Sequence, residues 1–197
     1  MLLHDKLKNR RLILASASPR RRQLLSDADL EFRIADPYDV DESYPDAMPA
    51  AEVPAYLARL KSEAYPGELD PEDILITADT VVILDGRVIG KPESRGDAVR
   101  MLGELSGRRH EVVTSVMLRS VDKQEVFSAH SYVFFRELTP EEIEYYVDRY
   151  SPMDKAGSYG IQEWIGCVAI ERIEGSFYNV MGLPVQMLYN RLKDFAE

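Results

Sequence analysis

The run LASASPRRRQLL (14–25) sets two hydroxyls, Ser16 and Ser18, a proline and three arginines, Arg20, Arg21 and Arg22, where an apolar stretch gives way to a helix. Ser18-Pro19 reads as an N-cap followed by proline at the first helical position. A helix N-terminus carries partial positive charge and unpaired N–H groups, so cations there are disfavoured. The arginines are misplaced unless an anion joins them. A phosphate would accept from the backbone N–H groups, from both hydroxyls and from the guanidinium forks. The plainer alternative leaves the arginines solvated or paired with the acidic loop that follows.

Asp79 interrupts ILITADTVVIL (74–84), which is otherwise apolar or β-branched, and an unpaired carboxylate is costly to bury there. A divalent metal, or a water held for attack, would give it a partner on a rigid mount. A turn-capping aspartate, or one paired with a buried arginine, is the alternative. Glu42, in DVDES (39–43), could share such a metal or be a solvated loop acid. Lys91 lies in GRVIGKPES (86–94), where three residues rather than four separate the glycines and proline follows the lysine, so this is no P-loop. Lys91 stays open as a point charge for phosphate or as a surface lysine, and Lys61, taken alone, reads as solvated.

SPMDKAGSYGIQ (151–162) gathers Asp154, Lys155, two glycines, a tyrosine and Gln162 in one loop, a composition suited to a site. Gln162 offers both donor and acceptor to a base edge; a turn needing positive φ accounts only for Gly157 and Gly160. GSFYNVMGLP (175–184) is a weaker glycine-rich lead into a helix. His4, His110 and His130 lack metal-ligand spacing, and no GxSxG elbow occurs.

Around these residues the pattern predicts strands at 12–16 and 31–35 and a helix at 19–27. A polar loop (37–49) leads to a helix at 54–65 burying Tyr56, Leu57, Leu60 and Ala64. Asp85-Gly86 signals a hairpin. Ser94 caps a helix with Ala98, Met101, Leu102 and Leu105 inward, stopped by Gly107. Strands at 110–120 and 124–137 precede a helix opened by the Thr139–Glu142 capping box. A loop, a strand at 167–173 and a helix from Pro184, with Val185, Leu188, Leu192 and Phe195 inward, complete the chain. Adjacent hairpin partners argue against a purely parallel sheet, so the fold class is α/β with a mixed twisted sheet flanked by helices.

The 197 residues suffice for one ample core or two intimately packed lobes. No repeat or linker divides them, and a single domain over 1–197 is expected. A net charge of −10 opposes binding to a nucleic-acid polymer or an anionic membrane, so a polyanionic ligand needs a local cationic cluster. The lone Cys167 excludes an internal disulfide and a thiolate-rich zinc site, and reads as a small buried hydrophobe. The N-terminal residues lack the core of a signal peptide and no apolar run has membrane-spanning length, so a reducing, cytoplasmic location is expected.

In order and spacing, LASASPRR, Asp41-Glu42, LARLKSEA, ADTVV, GKP, LSGRRHEVVTSV, DKAGSYGIQ and GSFYNVMGLP resemble the Maf family of nucleoside triphosphate pyrophosphatases over nearly the whole chain. The resemblance implies a fold similar to inosine triphosphate pyrophosphatases, with two lobes around a cleft, usually in a homodimer. It implies hydrolysis of a nucleoside triphosphate to monophosphate and pyrophosphate with a divalent metal, magnesium or manganese. DKAGSYGIQ and GSFYNVMGLP resemble the branch acting on dTTP and UTP rather than on 7-methyl-GTP. The family's catalytic aspartate falls on Asp79 and its specificity positions on Arg20, Thr80 and Gln162. Its phosphate and metal contacts match Ser16, Arg20, Arg21, Lys61 and Lys91, with Asp79 and Glu42 the implied metal pair. The loop before Asp41 is slightly longer than the family's, and Ser151 stands where an acid is common.

On this reading, metal and cations neutralise a triphosphate while water activated by Asp79 attacks the α-phosphorus. A 7-methyl-GTP pyrophosphatase would differ in its relative rates on UTP and 7-methyl-GTP. A non-catalytic, nucleotide-binding regulator of cell division would bind without releasing pyrophosphate.

Overall fold

The computed structural model describes residues 2–196. A one-turn helix α1 (Leu3–Lys6) precedes β1 (Arg11–Leu14), α2 (Pro19–Asp27) and β2 (Phe32–Ile34); α3 (Val53–Glu63) leads to β3 (Asp73–Leu84), β4 (Arg87–Ile89) and α4 (Arg95–Leu105). The long strands β5 (Arg109–Arg119) and β6 (Gln124–Phe135) are followed by α5 (Pro140–Tyr150) and a 3-10 turn at Ala156–Ser158. Then come α6 (Trp164–Ala169), β7 (Ile170–Glu174), α7 (Phe177–Met181) and α8 (Val185–Phe195). Local chemistry sets several boundaries. The Ser94 hydroxyl accepts from the Asp97 N–H, and Thr139 and Glu142 cap each other's backbone. Asp85 and Gly86 both have positive φ, as a tight hairpin turn demands. Ser18 occupies the N-cap position of α2, but its hydroxyl makes no capping bond.

The seven-stranded sheet runs β2-β1-β3-β5-β6-β7, with β4 also paired to β3. β2, β1 and β3 are parallel and the other pairings antiparallel, the mixed sheet expected. β1 covers β3 as far as Ile76, and β4 covers it only from Val82. Between these points β3 has a neighbour on one side alone, β5. The gap opens at the C-terminal end of β1, the side on which open α/β sheets take ligands.

Side chains alternate across β3. On one face Ile74, Ile76 and Ala78 join Leu24, Leu188 and Leu192, whereas Val82 and Leu84 join Leu102, Leu105 and Tyr146. Thr80 sits between these two cores. On the other face Val81 and Ile83 pack on Val53 and Leu57 of α3, and Leu75 packs beside Tyr38 and Tyr65. Asp79 lies on that face. Two lobes thus share the long strands, and polar residues mark their boundary.

Three expectations need correction. The buried face of α3 is Val53, Pro54, Leu57, Ala58 and Ser62, while Tyr56 is exposed; packing on β3 rotates the stripe and turns Lys61 inward. The segment expected as one strand is helical to Ala169 and extended only from Ile170, with Ile165 and Ala169 burying one face at i, i+4. A short apolar run does not distinguish these states by period. Cys167 consequently falls on the outer face of α6 and is exposed, not buried. No helix among the described residues is long and apolar enough to cross a membrane.

Candidate active site

The gap in the sheet opens into a cleft of about 420 Å³, a size that suits a small ligand. Its walls bring together Ser16, Ser18, Arg20, Arg21, Glu42, Lys61, Asp79, Thr80, Lys91 and Gln162, every candidate named from the sequence. Six cationic side chains line it against four carboxylates, in a chain that is acidic as a whole. Local charge is therefore opposite to global charge.

Asp79, 8% exposed, is held on β3 against α3. Its Oδ1 accepts from Lys61 Nζ at 2.7 Å, and the same ammonium reaches Glu42 Oε2 at 2.9 Å. Lys61 stands there because Val53 and Leu57, two turns and one turn earlier, bury the same helical face. It is paired and largely buried, not solvated. Burial pushes the Asp79 carboxyl above its ordinary value; Lys61 and Arg21 pull it down, and Glu42 adds to the rise. Asp79 Oδ2 makes no hydrogen bond among the described residues.

Arg21 knits the lobes together. Its Nε donates to the Gly182 carbonyl at 2.8 Å, Nη1 to the Ala78 carbonyl at 2.9 Å and the Ser16 hydroxyl at 3.2 Å, and Nη2 to Thr80 at 3.0 Å. Four of five donors are thus engaged by neutral acceptors, so Arg21 offers a ligand its charge and one N–H rather than a fork. The order of hydrogens beyond it follows. Thr114 donates to the Asn179 carbonyl at 2.9 Å, which spends its only proton, so at 2.9 Å it accepts from Thr80. Thr80 then accepts from Arg21, and its 3.5 Å approach to the Gly182 carbonyl is left without a proton. What Thr80 can present to the cleft is a lone pair.

At the mouth, Arg20 Nη1 donates to Asp154 Oδ2 at 2.8 Å; its partner is the loop after α5, not the acidic loop after β2. Burial works against ionisation of Asp154, but hydrogen bonds from Lys155 and Arg20 prevail and hold its carboxyl at about 2. Gly157 has φ +68°, as expected, whereas Gly160 does not need positive φ. A Cβ at Gly160 would lie 2.9 Å from Gln162 Nε2, so a side chain there would displace that amide. Gln162 itself makes no hydrogen bond among the described residues, leaving both ends of its amide available. The side chains of Arg22 and Lys91 also lack hydrogen bonds and ion pairs among the described residues, and the Arg22 Nε is buried without a partner.

A family model described as Maf-like protein matches residues 11–195. The chain belongs to the Maf-like family. It is 55% identical over 195 residues to a protein of Porphyromonas gingivalis named dTTP/UTP pyrophosphatase, covering 98% of each chain. A protein of Bacteroides thetaiotaomicron with the same name is 53% identical, over 92% of this chain and 94% of its own length. One of Christiangramia forsetii, again so named, is 45% identical over 98% of both. Among solved structures, a HAM1 protein from Coxiella burnetii aligns over 94% of this chain and 99% of its own with 14% identity and a TM-score of 0.49.

The oxygen donors of this Maf-like cleft bear on whether it can hold a divalent metal. Among the described residues no group of three or more His, Cys, Asp and Glu could hold an ion alone. Yet Asp79 and Glu42 already converge on one positive charge, the Lys61 ammonium, and burial leaves Asp79 in need of more. One or two carboxylates completed by substrate phosphates is the arrangement magnesium favours over an all-protein cage, and oxygen donors suit manganese equally. The residues fit. Thr114, Asn179, Tyr146 and Glu163 escaped the sequence reading as site residues, because threonine in a β-rich run and tyrosine in an amphipathic helix look like ordinary packing.

Proposed function

We propose that this Maf-like chain is a cytoplasmic nucleoside triphosphate pyrophosphatase that hydrolyses dTTP and UTP to the monophosphate and pyrophosphate, clearing unwanted pyrimidine nucleotides. The observation that carries the reading is the meeting of Asp79, braced by Lys61 beside Glu42, with unpartnered cations in one cleft. Asp79 Oδ2 takes the proton of a water that attacks the α-phosphorus, and the bond to the bridging oxygen breaks as pyrophosphate leaves. Lys61 holds Oδ1 and so orients the carboxylate. Arg22 and Lys91 meet phosphate oxygens directly, while Arg21 supplies charge from a fixed position. Magnesium or manganese bound by Asp79 and Glu42 together with the triphosphate would neutralise phosphate oxygens and make the phosphorus more electrophilic.

Thymine and uracil present an acceptor, a donor and an acceptor along one edge. Arg20 offers donors, Gln162 one of each, and Thr80 only a lone pair, a set that complements such an edge; cytosine asks for the same numbers of donors and acceptors in another order, so discrimination rests on where these groups are held. The names of relatives at 45–55% identity support the same choice. The enzyme acts as a homodimer on this proposal, and sedimentation checks its mass in solution.

The test is pyrophosphate release from dTTP, UTP, CTP, 7-methyl-GTP and ITP with magnesium or manganese and with chelator. Metal-dependent release favouring dTTP and UTP is expected. Preference for 7-methyl-GTP, or binding without release, would replace this reading with a different one.

A further inference from the structure

Resting on that reading, we infer that Asp154, Lys155, Glu163 and Tyr146 form a positioning network that fixes Arg20 and Gln162 relative to one another and thereby sets discrimination between bases. The chain of contacts crosses the cleft. From Arg20 on α2 it passes to Asp154, whose Oδ1 accepts from Lys155 Nζ at 2.7 Å. Lys155 Nζ also reaches Glu163 Oε1 at 3.2 Å, and Glu163 Oε2 accepts from the Tyr146 hydroxyl. Having given its only proton to a carboxylate, Tyr146 accepts from the Gly160 N–H at 3.0 Å.

Both oxygens of Asp154 and of Glu163 are used within the network, and Lys155, 8% exposed, lies between the two carboxylates. None of the four side chains has a charge left over for a triphosphate. Their effect on substrate must pass through what they hold. Arg20 is one such group. Gln162 is the other, because a Cβ on Gly160 would lie 2.9 Å from both Gln162 Nε2 and Glu163 Cδ. The amide and the carboxylate flank the same glycine, whose N–H is held by the Tyr146 hydroxyl, so the network fixes the short backbone stretch from which Gln162 projects. Tyr146 anchors the far end in the core between α4 and α5, at 0% exposure. Arg20 is thus tied through a chain of charge-assisted contacts to the core of the other lobe and to the 160–163 backbone that carries Gln162.

The experiment measures kcat/KM on dTTP, UTP and CTP for the wild type and for Asp154→Asn, Glu163→Gln and Gly160→Ala, with melting temperatures alongside. In Asp154→Asn and Glu163→Gln the preference for dTTP over CTP should fall about tenfold, through a raised KM for dTTP. A purely structural role would lower the melting temperature and depress all nucleotides alike. The Asp154 side chain is 55% exposed, so its variant should fold. Folded Asp154→Asn with a dTTP to CTP ratio within about twofold of wild type would overturn the inference. If the wild type releases no pyrophosphate, the enzyme reading fails instead, and the ratio of dTMP to dCMP affinities, read by calorimetry on the same variants, decides the network.

Discussion

Gly157 lies in the left-handed region, at φ 68° and ψ 11°, and its N–H donates to the Gly90 carbonyl at 2.9 Å. A Cβ at this position would meet Val82 Cγ2 at 2.9 Å and both Val82 Cβ and Cγ1 at 3.2 Å. Alanine in this conformation costs about 1–2 kcal/mol. Pressing a methyl against a buried β-branched side chain with no rotamer to escape into adds about 1–3 kcal/mol. Gly157→Ala should therefore lose about 2–5 kcal/mol, and at roughly 2–4 °C per kcal/mol for a chain of this size its melting temperature should drop by about 5–20 °C. Circular dichroism reads that drop. Because the same turn carries Lys155 and Tyr159 to the cleft, turnover should fall even at temperatures where the variant stays folded. A Val82→Ala background removes the two Cγ contacts and so relieves most of the steric part, and the double-mutant cycle should show a coupling of about 1 kcal/mol or more. An alanine variant melting within about 2 °C of wild type would refute both the strain and the close contact.

Two further changes separate charge from fold. The Asp79 carboxyl is raised in the folded state, so the folded protein binds that proton more tightly than the unfolded chain does, and stability is lost as pH rises through the interval between the ordinary and the raised value. Asp79→Asn escapes that loss: it should melt above wild type at neutral pH, lose the advantage below about pH 4, and turn over about 10²–10⁴-fold more slowly. A folded variant with near-normal turnover, or one no more stable at neutral pH, contradicts the assignment. Arg22→Gln should raise the KM for dTTP about tenfold with little change in kcat; an unchanged KM would show that this cation does not meet the phosphates.

Elements whose boundaries depend on local chemistry were legible beforehand. Ser94, the Thr139–Glu142 pair, Asp85-Gly86 and Gly107 each act within a few residues of themselves, and the structure places them as expected. The face of α3 was not legible, because it is decided by β3 and β5 rather than by the helix. Lys61 is paired with residues 18 positions away and more, which no helical period records. The same holds for the contact of Arg20 with Asp154, 134 residues apart. The site residues could be named because their types are out of place for their elements; how they divide the work needed the geometry.

The interruption of β1 and β4 beside β3 has a consequence for the behaviour of the protein in a crowded solution. A strand with a free side is a template on which strands of other chains can add, and aggregation begins there. Here that free side spans only residues 77–81, and its Ala78 carbonyl is already taken by Arg21. The opening that admits a nucleotide is thereby closed to a foreign strand. Solubility and ligand access depend on the same guanidinium, so a substitution of Arg21 would threaten both at once.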